Sequence, residues 1–475
     1  MSGARVGLNS LILIGSEAVR RGMAFVIYAL IARALGVEEF GVFRLAGSFL
    51  VIFLVLAQFG ITPMLTRRVA TGREDERKLL GEIQGLKIVL GFAVFVLTAI
   101  AAALFGYRSH TFYAIVMMAL AIPAEALSGT HGAFYDGKQR MEVGAIADFG
   151  RSVVLLAGVA VALWKGWGLY GIIGAYLTHY VVGWLMFETV TARFFVRAVP
   201  RFAVTAWKAY LREALPYLVI GMVWTVAFRV DMIMLSKLRD EVSVGYYGSA
   251  YTLFELLLVL PTMCTRALFP ALSRAKVAGT DADMLQKAMR LFFLIGVPAG
   301  VGMAILSVPA IELVFGSEYT RSAPTLALLS SCLLLWFLTM GLSWAMTARE
   351  RLNVVLRANI SALIANIAAN FVLIPTYDYF GAALATVISE SIYICVLIVP
   401  VHREIMPITP RLAHPGVFLS ALIMGGAVWW GRAWPLYAVI PLGIVVYAAG
   451  AWITGAAREP FIVATARSII KRKTA

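Results

Sequence analysis

The chain has 475 residues, a net charge of +15, 61% hydrophobic and 14% charged residues, and a mean hydropathy of +0.85. Soluble domains carry about 25% charged residues, so this composition excludes an ordinary soluble protein and reads as a polytopic membrane protein. About 20 apolar residues cross a bilayer, and roughly fourteen such stretches leave loops too short for a nucleotide-binding, receptor or nucleic-acid module.

In chain order, six spans are expected at 8–33, 40–66, 79–105, 111–134, 143–165 and 168–192. Six more follow at 213–237, 244–272, 289–315, 323–347, 354–376 and 379–401, and a last pair at 415–431 and 435–456. The expected fold class is all-α, with about 14 transmembrane helices. Glu17, Arg20 and Arg21 interrupt the first span and no cleavage site follows, so it reads as a retained helix rather than a signal peptide. Cys264, Cys332 and Cys395 sit singly in apolar segments, which supports neither a disulfide framework nor a zinc site.

Basic residues collect in alternate loops. One side holds Arg67, Arg68, Arg73, Arg77 and Lys78, then Arg193, Arg197, Arg201, Lys208 and Arg212; the other holds Arg108, Lys165, Lys237, Arg239, Arg321 and Arg432. By the positive-inside rule both termini are expected in the cytoplasm, and the net charge then reports orientation rather than a nucleic-acid partner.

A shift of about 204 residues lays Phe40-Gly41-Val42-Phe43-Arg44-Leu45-Ala46 on Val244-Gly245-Tyr246-Tyr247-Gly248-Ser249-Ala250. Six spans per repeat is an even number, so the repeats run parallel. The expected organisation is a six-helix lobe at 1–200, a second at 201–410, and two extra spans with a basic tail at 411–475. Two lobes around a midplane site suggest a carrier that alternates access, with prolines such as Pro63, Pro123, Pro216, Pro261 and Pro298 breaking or bending its helices.

A charge at bilayer depth costs at least about 2.5 kcal/mol, so each one is a candidate for function unless a helical neighbour neutralises it. Asp148 has Arg151 at i+3, a local pair, whereas Glu17 must serve both Arg20 and Arg21. Arg44, Arg229 and Arg266 have no acid at helical spacing, and Asp231 and Glu255 have no base. For Arg44 and Arg266, snorkelling to an interface competes with a cavity role. Glu125 and Glu390 are isolated acids, read as structural or protonated.

Guanidinium groups are planar, bidentate and permanently charged, which suits a phosphate or diphosphate. Arg20, Arg21, Arg44, Arg229 and Arg266 are therefore candidates for binding a diphosphate or anionic sugar. Glu17, Asp231 and Glu255 are candidates for a coupling Na⁺ or H⁺, and Tyr247, Tyr251 and Phe254 for stacking on sugar faces; Tyr28, Phe43, Trp224 and Phe228 share those spans. There is no Walker loop, G-x-S-x-G or H-E-x-x-H, and His110, His131, His179, His402 and His414 are scattered, so no enzyme, catalytic residue, metal or cofactor is expected.

The run Ala32-Arg33-Ala34-Leu35-Gly36 with Glu39-Phe40-Gly41, then Gln58-Phe59-Gly60 and Arg67-Arg68-Val69-Ala70, resembles the polysaccharide transporter family of the multidrug/oligosaccharidyl-lipid/polysaccharide (MOP) flippases, which includes the Wzx-type O-antigen flippases. Ala214-Leu215-Pro216-Tyr217, Arg229-Val230-Asp231 and Leu268-Phe269-Pro270-Ala271-Leu272-Ser273-Arg274 carry the resemblance through most of residues 1–400. It implies movement of a polyprenyl-diphosphate oligosaccharide across the bacterial inner membrane for polysaccharide, lipopolysaccharide or O-antigen assembly. It also implies a cation-lined cavity, glycan polymerases or assembly proteins as partners, and a lipid-tail role for the last two spans. A cation-coupled multidrug antiporter of the same superfamily and a non-transporting scaffold remain the alternatives.

Overall fold

The computed structural model describes residues 3–277, 279–409 and 412–458; the side chains of residues 3–21, of 266, 267, 269–274 and of 277 fall outside the described set. Helices account for the architecture: α1 (Gly3–Gln58), α2 (Ile61–Thr71), α3 (Glu76–Leu104), α4 (Ser109–Ala119), α5 (Ala121–Gly137), α6 (Met141–Trp164), α7 (Gly168–Phe194) and α8 (Val204–Leu238). Then come α9 (Glu241–Leu257), α10 (Val259–Val277), α11 (Asp281–Ile305), α12 (Ser307–Phe315), a 3-10 turn (Ser317–Ser322), α13 (Ala323–Ala348), α14 (Leu352–Glu404), α15 (Pro415–Trp430) and α16 (Leu436–Ile453). No strand occurs among the described residues. The protein is an all-α polytopic membrane protein, and each of the fourteen expected spans falls on helix.

The differences from expectation lie in how spans join and break. The first two spans form one helix, α1, turned at Gly36 (φ 73°, ψ 178°), a conformation open to glycine at no steric cost. Spans eleven and twelve likewise form α14, turned at Asp378 (φ 56°, ψ −138°). The second span ends at Gln58 rather than 66, because Phe59 and Gly60 both adopt positive φ and α2 restarts at Ile61. Similar restarts occur after Leu120, Leu258 and Leu306. Pro63, Pro123, Pro261 and Pro309 each stand third in the restarted helix. An N–H in that first turn has no intrahelical acceptor, so proline removes nothing there and marks the break rather than bending the helix.

Lys87 explains how the break after Gln58 is held. Its buried ammonium donates to the carbonyls of Gln58 (2.7 Å) and Ala57 (3.2 Å), which lie in the last turn of α1 and have no helical partner. A cation at a helix C-terminus also meets the negative end of the macrodipole.

Two compact units make up the chain, Met1–Gly245 and Tyr246–Ala475. In the first, Phe92, Val96, Ile100 and Leu104 form an exposed apolar stripe along α3, the face expected against lipid. Lipid tails give helices no hydrophobic reason to associate, so close backbone packing takes over. Gly81 and Gly85, one helical turn apart, admit the backbone of Val199 and Arg201, and the Arg201 N–H donates to the Gly81 carbonyl (2.8 Å). Gly41 and Gly245, equivalent in the sequence repeat, meet each other: a Cβ on Gly41 would collide with the Glu241 carbonyl, and one on Gly245 with that of Val37.

One end of this unit is tied by polar contacts. Glu213 of α8 accepts from Arg67 (2.5 Å) and Arg68 (2.5 Å) of α2, and its hydrogen bond pushes the Arg68 guanidinium further above its ordinary value. Buried Glu82 of α3 accepts from the Tyr210 hydroxyl (2.6 Å), and its carbonyl from the Trp207 indole (2.9 Å). In the second unit α11, α13 and α14 pack together and the α15–α16 pair lies against α11. Glu390 of α14 accepts from Thr339 of α13 (3.2 Å), so the second isolated acid is hydrogen-bonded to a neighbouring helix.

Candidate functional site

Four helices of the first unit place charged and aromatic side chains at one depth. Counting 1.5 Å per residue, Tyr28 and Arg44 lie about 12 Å on either side of the Gly36 turn. Tyr176 lies about 12 Å into α7 and Arg229 about 14 Å from the end of α8. Together with Met118, Ser48 and Tyr180 they line a cavity of about 60 Å³.

Arg44, 5% exposed, lies with its guanidinium carbon 5.0 Å from the Tyr28 ring centre, a cation–π contact. The Phe43 ring packs against Tyr28 (6.0 Å) and edge-on against Tyr176 (5.2 Å), which fixes the aromatic wall. Ser48 donates to the Arg44 carbonyl (2.9 Å) and lies 3.0 Å from the Met232 sulfur, linking the second half of α1 to α8. Arg44 and Arg229 are the side chains among the lining residues that are ionised at neutral pH, and both are cations. Two guanidinium groups on one small cavity repel each other and stabilise an anion placed between them.

The other candidates stand as follows. The side chains of Glu17, Arg20, Arg21 and Arg266 lie outside the described residues. Asp231, 3% exposed, is not among the described residues lining the cavity with Arg229, as expected for positions two apart on a helix. Glu255 is half-buried in the second unit. Tyr247, Tyr251 and Phe254 are buried there and pack ring to ring (5.4 and 5.9 Å), so in this conformation they offer no open face to a sugar. Tyr176, Tyr180, Ser48 and Met118 were missed in the sequence; the only available signal was the i, i+4 spacing of the two tyrosines.

Beside the cavity, Arg151 of α6 forms the expected pair with Asp148 (2.8 Å) and a second ion pair with Glu125 of α5 (2.7 Å). Glu125 is therefore partnered across helices rather than isolated. His179 meets the Arg151 carbonyl through Nδ1 (2.6 Å), a hydrogen-bonded histidine of the helix core.

The family model described as polysaccharide biosynthesis protein matches residues 6–276, more than half of the chain. The chain belongs to that family. Over 461 residues it is 23% identical to stage V sporulation protein B of Bacillus subtilis, with 88% of each chain covered. Over 377 residues it is 21% identical to the probable low-salt glycan biosynthesis flippase Agl15 of Haloferax volcanii, covering 78% of each. In fold it is similar to the lipid II flippase MurJ in an inward closed conformation, with TM-score 0.81 and 17% identity over 94% of this chain and 99% of that one. The family is the one the sequence motifs implied at its coarser level, polysaccharide biosynthesis, and the fold is the one the flippase MurJ has.

Proposed function

We propose that this flippase-family member moves a polyprenyl-diphosphate-linked oligosaccharide from the cytoplasmic to the outer leaflet of a bacterial inner membrane, for polysaccharide assembly of the O-antigen or lipopolysaccharide kind. The observation that carries this reading is that Arg44 of α1 and Arg229 of α8 both line one cavity. A diphosphate offers each guanidinium a pair of acceptor oxygens, and at bilayer depth the resulting charge-assisted bonds are shielded from water.

The cavity as observed is too small for a diphosphate sugar, so loading requires its walls to part. A substrate that is bound better by the wider state shifts the protein toward it, the thermodynamic requirement for alternating access. Arg20, Arg21 and Arg266 are proposed to extend the cationic path, and Asp231 or Glu255 to take the Na⁺ or H⁺ that drives the return. An apolar groove of about 400 Å³ between α11 (Val297, Val301, Ile305) and α15 (Phe418, Leu422, Trp429) suits the polyprenyl chain. In this reading both termini are cytoplasmic, and glycan polymerases supply or consume the lipid's sugar. The cation antiporter reading fits poorly with a wall bearing two arginines.

Reconstitution into liposomes tests the proposal. A polyprenyl-diphosphate sugar is expected to cross at least about ten times faster than the corresponding monophosphate, the difference of one charge-assisted hydrogen bond. Equal rates, together with transport of an organic cation such as ethidium, would favour the antiporter.

A further inference from the structure

Away from the cavity, α3, α5 and α7 bring a second polar group together about 9 to 12 Å from one end of the first unit. His131 of α5 is 0% exposed. Its Nε2 lies 2.9 Å from a carboxylate oxygen of Glu188 and its Nδ1 lies 2.8 Å from the Thr191 hydroxyl. The Gln84 amide donates to the same Glu188 oxygen (2.8 Å). Thr191 Oγ1 in turn lies 2.8 Å from the Phe187 carbonyl and 2.7 Å from the Tyr135 hydroxyl, which also reaches that carbonyl (3.0 Å).

These contacts satisfy the imidazole in both of its charge states. When it is neutral, Nε2–H donates to Glu188 and Nδ1 accepts from Thr191, while Tyr135 donates to the Phe187 carbonyl. When a proton adds to Nδ1, that N–H donates to Thr191, whose hydroxyl turns to the Phe187 carbonyl while Tyr135 donates to Thr191 Oγ1. Only hydrogens move; the pair passes from net charge −1 to zero, and release reverses the step. A purely architectural ion pair requires one satisfied arrangement, whereas this one is built for two. Glu188, near the end of α7, keeps 31% of its side chain exposed, whereas the His131 ring is enclosed.

The nearby charges have partners of their own: Glu82 of α3 accepts from Tyr210, and Arg151 of α6, whose guanidinium carbon lies 5.9 Å from the Phe187 ring centre, pairs with Glu125 and Asp148. From α3, Lys87 is committed to the end of α1; from α2, Thr66 donates to the Ala133 carbonyl; from α1, Gln58 contributes an amide near Gly129. On α6, Asp148 is held by Arg151, and on α5 Asp136 is exposed at the helix end.

We propose that His131 and Glu188 form a proton-binding site of the first unit, and that its loading sets the pH dependence of transport. The second half of this statement rests on the flippase reading; the first does not. The ligand is a proton from the aqueous side nearest Glu188, and Gln84, Thr191 and Tyr135 are positioning residues.

Nitrogen NMR of the full-length protein labelled at its five histidines, with His131 assigned from the signal lost in His131→Gln, reads the site directly. The expected result, over a scan from pH 5 to 9, is a change of the Nδ1 signal from accepting to protonated, and a response displaced in Glu188→Gln, which removes the opposite charge. A signal unchanged across that range, or unmoved by Glu188→Gln, overturns the site. In proteoliposomes, His131→Gln is expected to flatten a wild-type pH profile; an unaltered profile overturns the control of transport. Titration of His131 in a wild-type protein that flips no polyprenyl lipid at any pH upholds the proton site and removes the flippase reading instead.

Discussion

Arg44→Ala and Arg229→Ala are each expected to lower the flipping of a polyprenyl-diphosphate glycan by about 10- to 150-fold, at unchanged expression. The range follows from a charge-assisted hydrogen bond worth about 1.5–3 kcal/mol and from 1.4 kcal/mol per factor of ten. Arg44→Lys separates charge from geometry. Lysine keeps the cation but loses the planar fork and the ring contact with Tyr28, so most of the loss is expected to persist. Initial rates in proteoliposomes of equal protein content measure all three. Wild-type rates in both alanine variants would remove the cavity from the transport path.

The second large effect concerns stability. Arg151 holds both Glu125 and Asp148 at the depth of the cavity. Arg151→Met is expected to cost about 3 kcal/mol, chiefly because it leaves the buried Glu125 carboxylate without its cation; Asp148, 37% exposed, adds little. The triple variant Arg151→Met, Glu125→Gln, Asp148→Asn is expected to regain most of that loss, since removing a whole buried ion group is often close to neutral. Thermal unfolding of the purified proteins reads both. A single variant that melts with the wild type would show that the three groups do not depend on one another.

Much of the fold was legible because its signals are local. Apolar length located the fourteen spans, and the Gly36 and Gly60 positions lay in motifs already conspicuous in the sequence. The prolines were visible as breaks or bends, and the structure separates the two: Pro63, Pro123 and Pro261 stand in the first turn of restarted helices, whereas Pro216 and Pro298 lie inside helices. The sequence repeat paired Gly41 with Gly245, yet their backbone contact needs three dimensions.

The site was legible in part for the same reason. Arg44 and Arg229 stood out because no acid lies at helical spacing from either, and both line the one cavity. Glu125 and Arg151 are 26 residues apart, a separation with no helical periodicity, so their pairing was invisible. Lys87 and His131 were hidden likewise, since their partners Gln58 and Glu188 come from other helices. Tyr247, Tyr251 and Phe254 show the limit of position alone: the sequence offers them equally to a sugar or to a core, and in this conformation their rings pack on one another.

Mass spectrometry of the lipids that co-purify from membranes containing the native glycan pathway tests the central claim most directly. The wild-type protein is expected to retain a polyprenyl-diphosphate oligosaccharide, and the Arg44→Ala, Arg229→Ala double variant to lose it. Absence of that lipid from the wild type, with an organic cation retained by both proteins, would contradict the account.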